Sequence, residues 1–190
     1  MKLLRIACIL LLLSCCKDDD DQTNNTIQNP VDALPELTHE GKNTIGCLVN
    51  GEVFLPKGHI IQGNKIANYT SFKYFQIQMA IKEAPILRSV FIQFSTEVKG
   101  LEVGRKYELN AISPDINSGW GEYSYSDSTP ENNYYNSYDT TNEFTGELII
   151  NHIDYSNYTV SGTFWFDAKL EGSTEVVEIR EGRFDMEFLN

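Results

Sequence analysis

The chain has 190 residues, 41% of them hydrophobic and 12% aromatic, with 15 basic against 27 acidic side chains and a formal charge of −12. That length suits one domain with a tail, and the apolar content is enough for a core, so the chain is not disordered as a whole. A sequence pI near 4.6 argues against nucleic-acid binding, which needs a basic patch to displace phosphate counterions, and against docking on anionic lipid by charge.

Lys2 and Arg5 open the chain, and Ile6 to Leu13 follow as an apolar run that ends at Ser14-Cys15. The run is far shorter than the ~20 apolar residues that span a bilayer. A basic start, a short apolar core and a small residue at the cut predict a secretory signal peptide over 1–14. Leu12-Leu13-Ser14-Cys15 resembles the bacterial lipobox. That resemblance implies cleavage before Cys15 and acylation of Cys15, with Cys16 the weaker candidate. The alternative is a plain secreted protein whose cysteines fall there by chance.

Lys17 precedes four aspartates, Asp18 to Asp21. A run of like charge is ordinarily a solvated, self-repelling segment. Directly after a lipidated cysteine it resembles the acidic export signal of Bacteroidota lipoproteins, which implies display on the outer face of the outer membrane. A periplasm-facing lipoprotein with an acidic spacer is the alternative. Residues 17–43 contain Gln, Asn, Thr, Pro30 and Pro35 with no sustained apolar period, so 15–43 is expected to be a lipidated cysteine and flexible acidic tether. Such a tether has a root-mean-square reach of about 26–31 Å. The single domain is then expected over 44–190.

Thr44 to Val49, Asn50-Gly51 and Glu52 to Leu55 read as a hairpin, because Asn-Gly supplies the positive φ angles of a two-residue type I′ turn. Cys47 sits in its first strand and is expected buried and free, with a Cys16–Cys47 disulfide as the alternative; no Cys or His spacing suggests zinc. Phe75, Ile77, Met79 and Ile81 alternate with Gln76, Gln78, Ala80 and Lys82, a strand with one wet face. Val90, Ile92 and Phe94 alternate likewise, and Tyr107 to Ile112 is a shorter candidate. Phe144 to Ile153 and Tyr158 to Leu170 flank a turn at Asp154 to Asn157. In the second of these Phe164, Phe166, Ala168 and Leu170 share a face, which turns Trp165 outward. Glu175 to Arg180, a turn at Glu181-Gly182, and Arg183 to Phe188 complete the chain. Short strands with regular turn signals predict an all-β fold, an antiparallel meander forming a sandwich or barrel.

Gly41-Lys42-Asn43-Thr44-Ile45-Gly46-Cys47-Leu48-Val49-Asn50-Gly51 resembles the opening of a family of Bacteroidota lipoproteins built on a domain of unknown function. Val160-Ser161-Gly162-Thr163-Phe164 and Glu181-Gly182-Arg183-Phe184-Asp185 resemble its C-terminal pattern. The resemblance spans both ends of 41–190 and implies a β-rich, anchored protein. It carries over no catalytic residue.

The middle of the chain has no Lys or Arg between Lys106 and Lys169 but holds ten acids, both tryptophans and eight of the ten tyrosines. Its densest part, Trp120, Tyr123, Tyr125, Tyr134, Tyr135 and Tyr138, lies within 113–142, expected as a long loop or hairpin excursion. Long loops are often functional. Aromatic rings beside carboxylates and amides suit saccharide binding by stacking and hydrogen bonding, and equally a protein interface. Tyrosines that merely hold a hairpin down are the structural alternative. Asp115, Asn117, Gly119 and Glu122 faintly resemble a calcium loop, but the spacing to a closing Glu is not met. Asp127-Ser128-Thr129 and Asp139-Thr140-Thr141 resemble the Bacteroidota O-glycosylation motif. Catalytic motifs are lacking: no nucleophile elbow, no HExxH, no phosphate loop and no dinucleotide fingerprint. His39 falls in the tether, and His59 and His152 stand alone in sequence.

The expectation is therefore a lipid-anchored, surface-exposed binding module of the outer membrane, without catalysis, cofactor or metal. Its partners would be the membrane through the lipid anchor, and a glycan or an outer-membrane protein complex, with no nucleic acid. A structural envelope protein and a carbohydrate-active hydrolase are the alternative classes.

Overall fold

The computed structural model describes residues 29–61, 63–96, 100–113, 115 and 117–190. The expected signal peptide, Cys15, Cys16 and the aspartate run lie outside the described residues. A one-turn 3-10 helix at Pro30–Ala33, capped by the Asn29 side chain, precedes the strands. These are β1 (Thr44–Val49), β2 (Glu52–Phe54), β3 (Lys65–Thr70), β4 (Tyr74–Glu83), β5 (Ile86–Ser95) and β6 (Lys106–Leu109). There follow β7 (Gly119–Asp127), β8 (Tyr134–Asp139), β9 (Gly146–Asp154), β10 (Thr159–Leu170) and β11 (Val176–Glu187). Among the described residues no helix is long and apolar enough to cross a membrane.

The fold is all-β, as the alternation predicts. One antiparallel sheet runs β2-β1-β11-β10-β8-β7-β5-β4-β3, and β9 with β6 branches from β10. The branch exists because β10 is long: Thr159 to Phe166 pair with β9, and Lys169 and Leu170 pair with β8. The forked sheet wraps one core, to which Ile77, Ile92, Leu148, Phe166 and Ile179 contribute from five different strands. It curls without closing. Parallel bridges join Lys57, just after β2, to Ile81 of β4, and Leu189, just after β11, to Asn68 of β3.

Local signals account for most elements. Asn50 and Gly51 have φ of 51° and 83° and join Val49 to Glu52 in the expected two-residue turn. In β4, Phe75, Ile77 and Met79 are buried while Gln76 and Gln78 are not. Cys47 is buried and free, and burial pushes its thiol far above the usual range, so it is inert. The strand β3 has no counterpart in the sequence reading, because only Ala67 and Tyr69 of its six residues face the core.

Two expectations are corrected. The turn at Glu181-Gly182 is a β-bulge inside one continuous strand: Phe164 pairs with Gly182 and Phe166 with Ile179, so two residues oppose Trp165. Glu181 there takes φ 54°, and the Phe164 ring packs where a Gly182 Cβ would sit. Of the loop or hairpin excursion expected over 113–142, the structure has the hairpin, with β7 paired to β8.

The tether assigned to 15–43 is wrong from residue 29 onward, since this segment is a strap packed on the outer side of the sheet. Leu34 is buried, and Gly46 leaves room for Leu34 and Pro35 against β1. The Asp185 carboxylate, 1% exposed, accepts from the Thr38 hydroxyl at 2.5 Å and from the N–H groups of Glu40, Gly41 and Lys42 at 3.0, 2.8 and 3.3 Å. Proline and polar residues read as linker in sequence because the strap's partners lie about 145 positions away, on β11.

Candidate functional site

The period-two geometry of β7 and β8 divides the six aromatic residues singled out in the sequence between two faces. Tyr123 and Tyr138 are cross-strand partners on the inner face, 5.8 Å apart and each 9% exposed. Tyr138 donates its hydroxyl to Glu175 at 2.8 Å; burial and then this carboxylate push its phenol up to about 12. Tyr125 and Tyr134 stack at 5.7 Å on the same inner side, toward the end of the hairpin. Trp120 and Tyr135 point outward instead. Trp120 packs on Phe91 at 5.1 Å and is half-buried, and Tyr135 donates to the Glu122 carboxylate at 2.9 Å. A single six-membered aromatic platform is thus not formed. Tyr123 and Tyr138 belong to the core, and only Trp120 and Tyr135 share the outer face. Beside them Glu122 pairs across strands with Asp139, whose carboxyl is raised by burial and then by Glu122.

The better-formed site lies on the outer face of β6, β9, β10 and β11. Register places Lys106, Ile149, Thr163 and Arg183 in one row. Glu108, Glu147 and Trp165 form the next, continued by Arg180 and Glu181 of the bulge. The bulge matters here: it turns two successive side chains, Arg180 and Glu181, to the face that Trp165 occupies. Together with Leu37 of the strap, Glu147, Ile149, Thr163, Trp165, Arg180, Glu181 and Arg183 line a groove of about 350 Å³. Trp165, the outward-facing tryptophan of the strand pattern, is 40% exposed in its wall.

The groove's polar groups are held in place by one another. Arg180 lies over the Trp165 ring at 5.6 Å, donates to Asp167 at 2.6 Å and to the carbonyls of Phe166 and Ile179 at 3.1 and 2.9 Å. Lys106 pairs with Glu147 at 2.9 Å, and Arg183 reaches Glu181 and the Pro35 carbonyl, both at 3.4 Å. The cations are therefore matched by carboxylates, and what remains is an indole surface beside fixed donors and acceptors. Sequence reasoning flagged Trp165 but missed Arg180, Arg183, Glu147 and Glu181. The signal that could have found Arg180 and Glu181 is the bulge, hidden in a Glu-Gly pair that also reads as a turn.

The remaining candidates are not brought together. Asp115 turns back to the Ser113 hydroxyl at 2.8 Å, and Glu122 holds Tyr135, so the faint calcium pattern does not converge. Among the described residues no three His, Cys, Asp or Glu side chains group as metal ligands. Thr140 of the second O-glycosylation match is buried, donates to the Asn110 carbonyl and accepts from the Gly121 N–H, which removes it as an acceptor for a sugar. Ser128 of the first match is exposed. His39 and His152, apart in sequence, meet with ring centres at 5.7 Å, and His39 Nδ1 lies 2.6 Å from the Ser161 hydroxyl.

Residues 91–186, just over half of the chain, match the family described as Domain of unknown function (DUF6252). The chain belongs to this family. The DUF6252 segment contains β6 to β10, most of β11 and every residue of the groove except Leu37, whereas the strap precedes it. No curated protein and no solved structure matches the chain.

Proposed function

We propose that this DUF6252 protein is an outer-membrane lipoprotein, anchored through acylated Cys15 and displayed at the cell surface, that binds a glycan without turning it over. The observation that carries the binding reading is the exposed Trp165 indole set in a groove whose charged side chains are already paired. A pyranose offers an apolar face to stack on the ring and hydroxyls to bond with groups such as Thr163, Glu147 and Arg183. Because the ions are internally matched, a neutral saccharide fits better than an ionic ligand.

The anchor reading rests on the lipobox resemblance and the aspartate run. Fourteen positions separate Cys15 from Asn29, so anchor and strap lie no more than about 50 Å apart along the chain. In cells fed a labelled fatty acid, the wild-type chain should take up label. Cys15→Ser should lose it and accumulate as a longer precursor. Labelling that survives Cys15→Ser would overturn this anchor.

For binding, the full-length chain in mild detergent is screened on a glycan array with Trp165 fluorescence as the second readout. Trp165→Ala should weaken binding at least tenfold, about 1.4 kcal/mol or more, with little change in Tm. The Trp120→Ala and Tyr135→Ala pair should retain it. Equal loss in both variants, or no ligand on a broad array, would overturn the groove as the site. Turnover of a bound glycan in the same assay would replace binding by hydrolysis, for which the Glu122–Asp139 pair and its raised carboxyl are the specific support.

A further inference from the structure

The hairpin β7–β8 runs past the end of the strand beside it. Residues 134–139 of β8 pair with β7 without interruption, yet β10 reaches only Tyr138 and Asp139 before the chain turns away after Leu170. Among the described residues, Tyr134–Ser137 therefore has an open edge. The Thr140 N–H donates to the Gly121 carbonyl, which marks 121 and 140 as a hydrogen-bonded pair. In antiparallel pairing that state alternates, so the backbone groups of Tyr135 and Ser137 point to the open side.

Exposed edges are normally blunted by Lys, by Pro or by a bulge. This one has none of them: its sequence is Tyr-Tyr-Asn-Ser and its register is regular. Tyr135, 62% exposed, and Tyr134 flank it on opposite faces. The hairpin carries Glu122, Asp127, Glu131 and Asp139 and no Lys or Arg. Two cations stand in register with the hairpin, Lys169 opposite Asp139 and Arg88 opposite Tyr125; Lys169 lies over the Phe144 ring at 5.2 Å, and Arg88 pairs with Glu83 at 3.4 Å.

We propose that the open edge of β8, Tyr134–Ser137, receives an extended basic segment of a partner protein by strand addition. Backbone bonds to Tyr135 and Ser137 supply the affinity. Lys or Arg at alternate positions of the added strand meet the acidic hairpin and the tyrosine rings. A second copy of this chain is the less favoured occupant, because antiparallel self-pairing would set two acidic hairpins side by side. This interface is independent of the Trp165 groove, so either can fail alone.

The test is hydrogen–deuterium exchange, read at single residues, on the full-length chain in mild detergent with a capped decapeptide of alternating Lys and Val. An alternating Glu and Val peptide is the control. With Lys–Val peptide tenfold above its Kd, exchange at Tyr135 and Ser137 should slow about tenfold. The Glu–Val peptide should leave both unchanged. Ser137→Pro, which deletes an outward N–H, should abolish the effect while Tm shows the fold retained. The proposal fails if neither peptide protects these amides, or if both protect them equally. It also fails if the amides are protected without peptide: concentration-dependent protection would mean self-pairing, and constant protection would mean an edge already covered.

Discussion

Gly162→Ala is expected to destabilise the protein by more than about 4 kcal/mol, enough to leave little folded chain. Gly162 lies in the middle of β10, paired with Ile150 of β9 on one side and Phe184 of β11 on the other. The register of β9 slips there, and the Ile149 carbonyl oxygen comes to 2.1 Å from where a Cβ would stand, with the Phe184 ring at 2.8 Å. The first obstacle is backbone and the second is a core ring, so neither can give without parting three strands. Gly172→Ala is the control. It has open space and a φ of 72°, and should cost only about 1 kcal/mol. Urea unfolding followed by circular dichroism separates the two, and a Gly162→Ala chain as stable as wild type would show that β9 can move aside.

Asp185→Ala should cost about 3–4 kcal/mol, because it strands three strap N–H groups and the Thr38 hydroxyl next to the sheet. Removing the strap, by starting the chain at residue 44, should cost a similar amount, since Leu34 and Pro35 would no longer cover Gly46. Thermal melts at neutral pH check both. The pH dependence has a definite sign. Burial taken alone would raise the Asp185 carboxyl, but the Thr38 hydroxyl and the three amides together hold it below the usual range. A carboxylate lowered in the native state stabilises the fold above its unfolded pKa of about 3.9, and that stability disappears as pH falls through the lower native value. Wild type should therefore lose stability below about pH 4 faster than Asp185→Asn does. Parallel acid titrations of the two chains would sink the strap account.

These two variants also mark where reading the chain stops. Gly162 stands in the Val160 to Phe164 stretch, legible as a strand from Phe164 and Phe166 alone. Its need for hydrogen in place of a side chain is not legible, because the obstructing carbonyl belongs to a residue thirteen positions earlier whose register has slipped. Asp185 alternates with Phe184 and Met186 and so reads as the wet side of a terminal strand. In the fold it is covered by a segment that composition assigns to linker.

The candidate sites divide the same way. Alternation turned Trp165 outward, and the structure leaves it exposed in a groove. The same rule applied to Trp120, Tyr123, Tyr125, Tyr134, Tyr135 and Tyr138 would have separated them by face, but density of aromatic residues along the chain suggested one patch. Strand period, turn chemistry and all-β class are local, because each depends on φ and on which neighbours two positions apart share a face. That is why β1, β2, β4, β5, β9 and β10 could be read directly. Bulges, forks, open edges and strap contacts depend on which strand lies alongside, and pairing partners far apart in the chain leave no periodic mark. The Trp165 groove, the Asp185 clasp and the bare edge of β8 all belong to this second kind, created when β10 pairs with three strands at once.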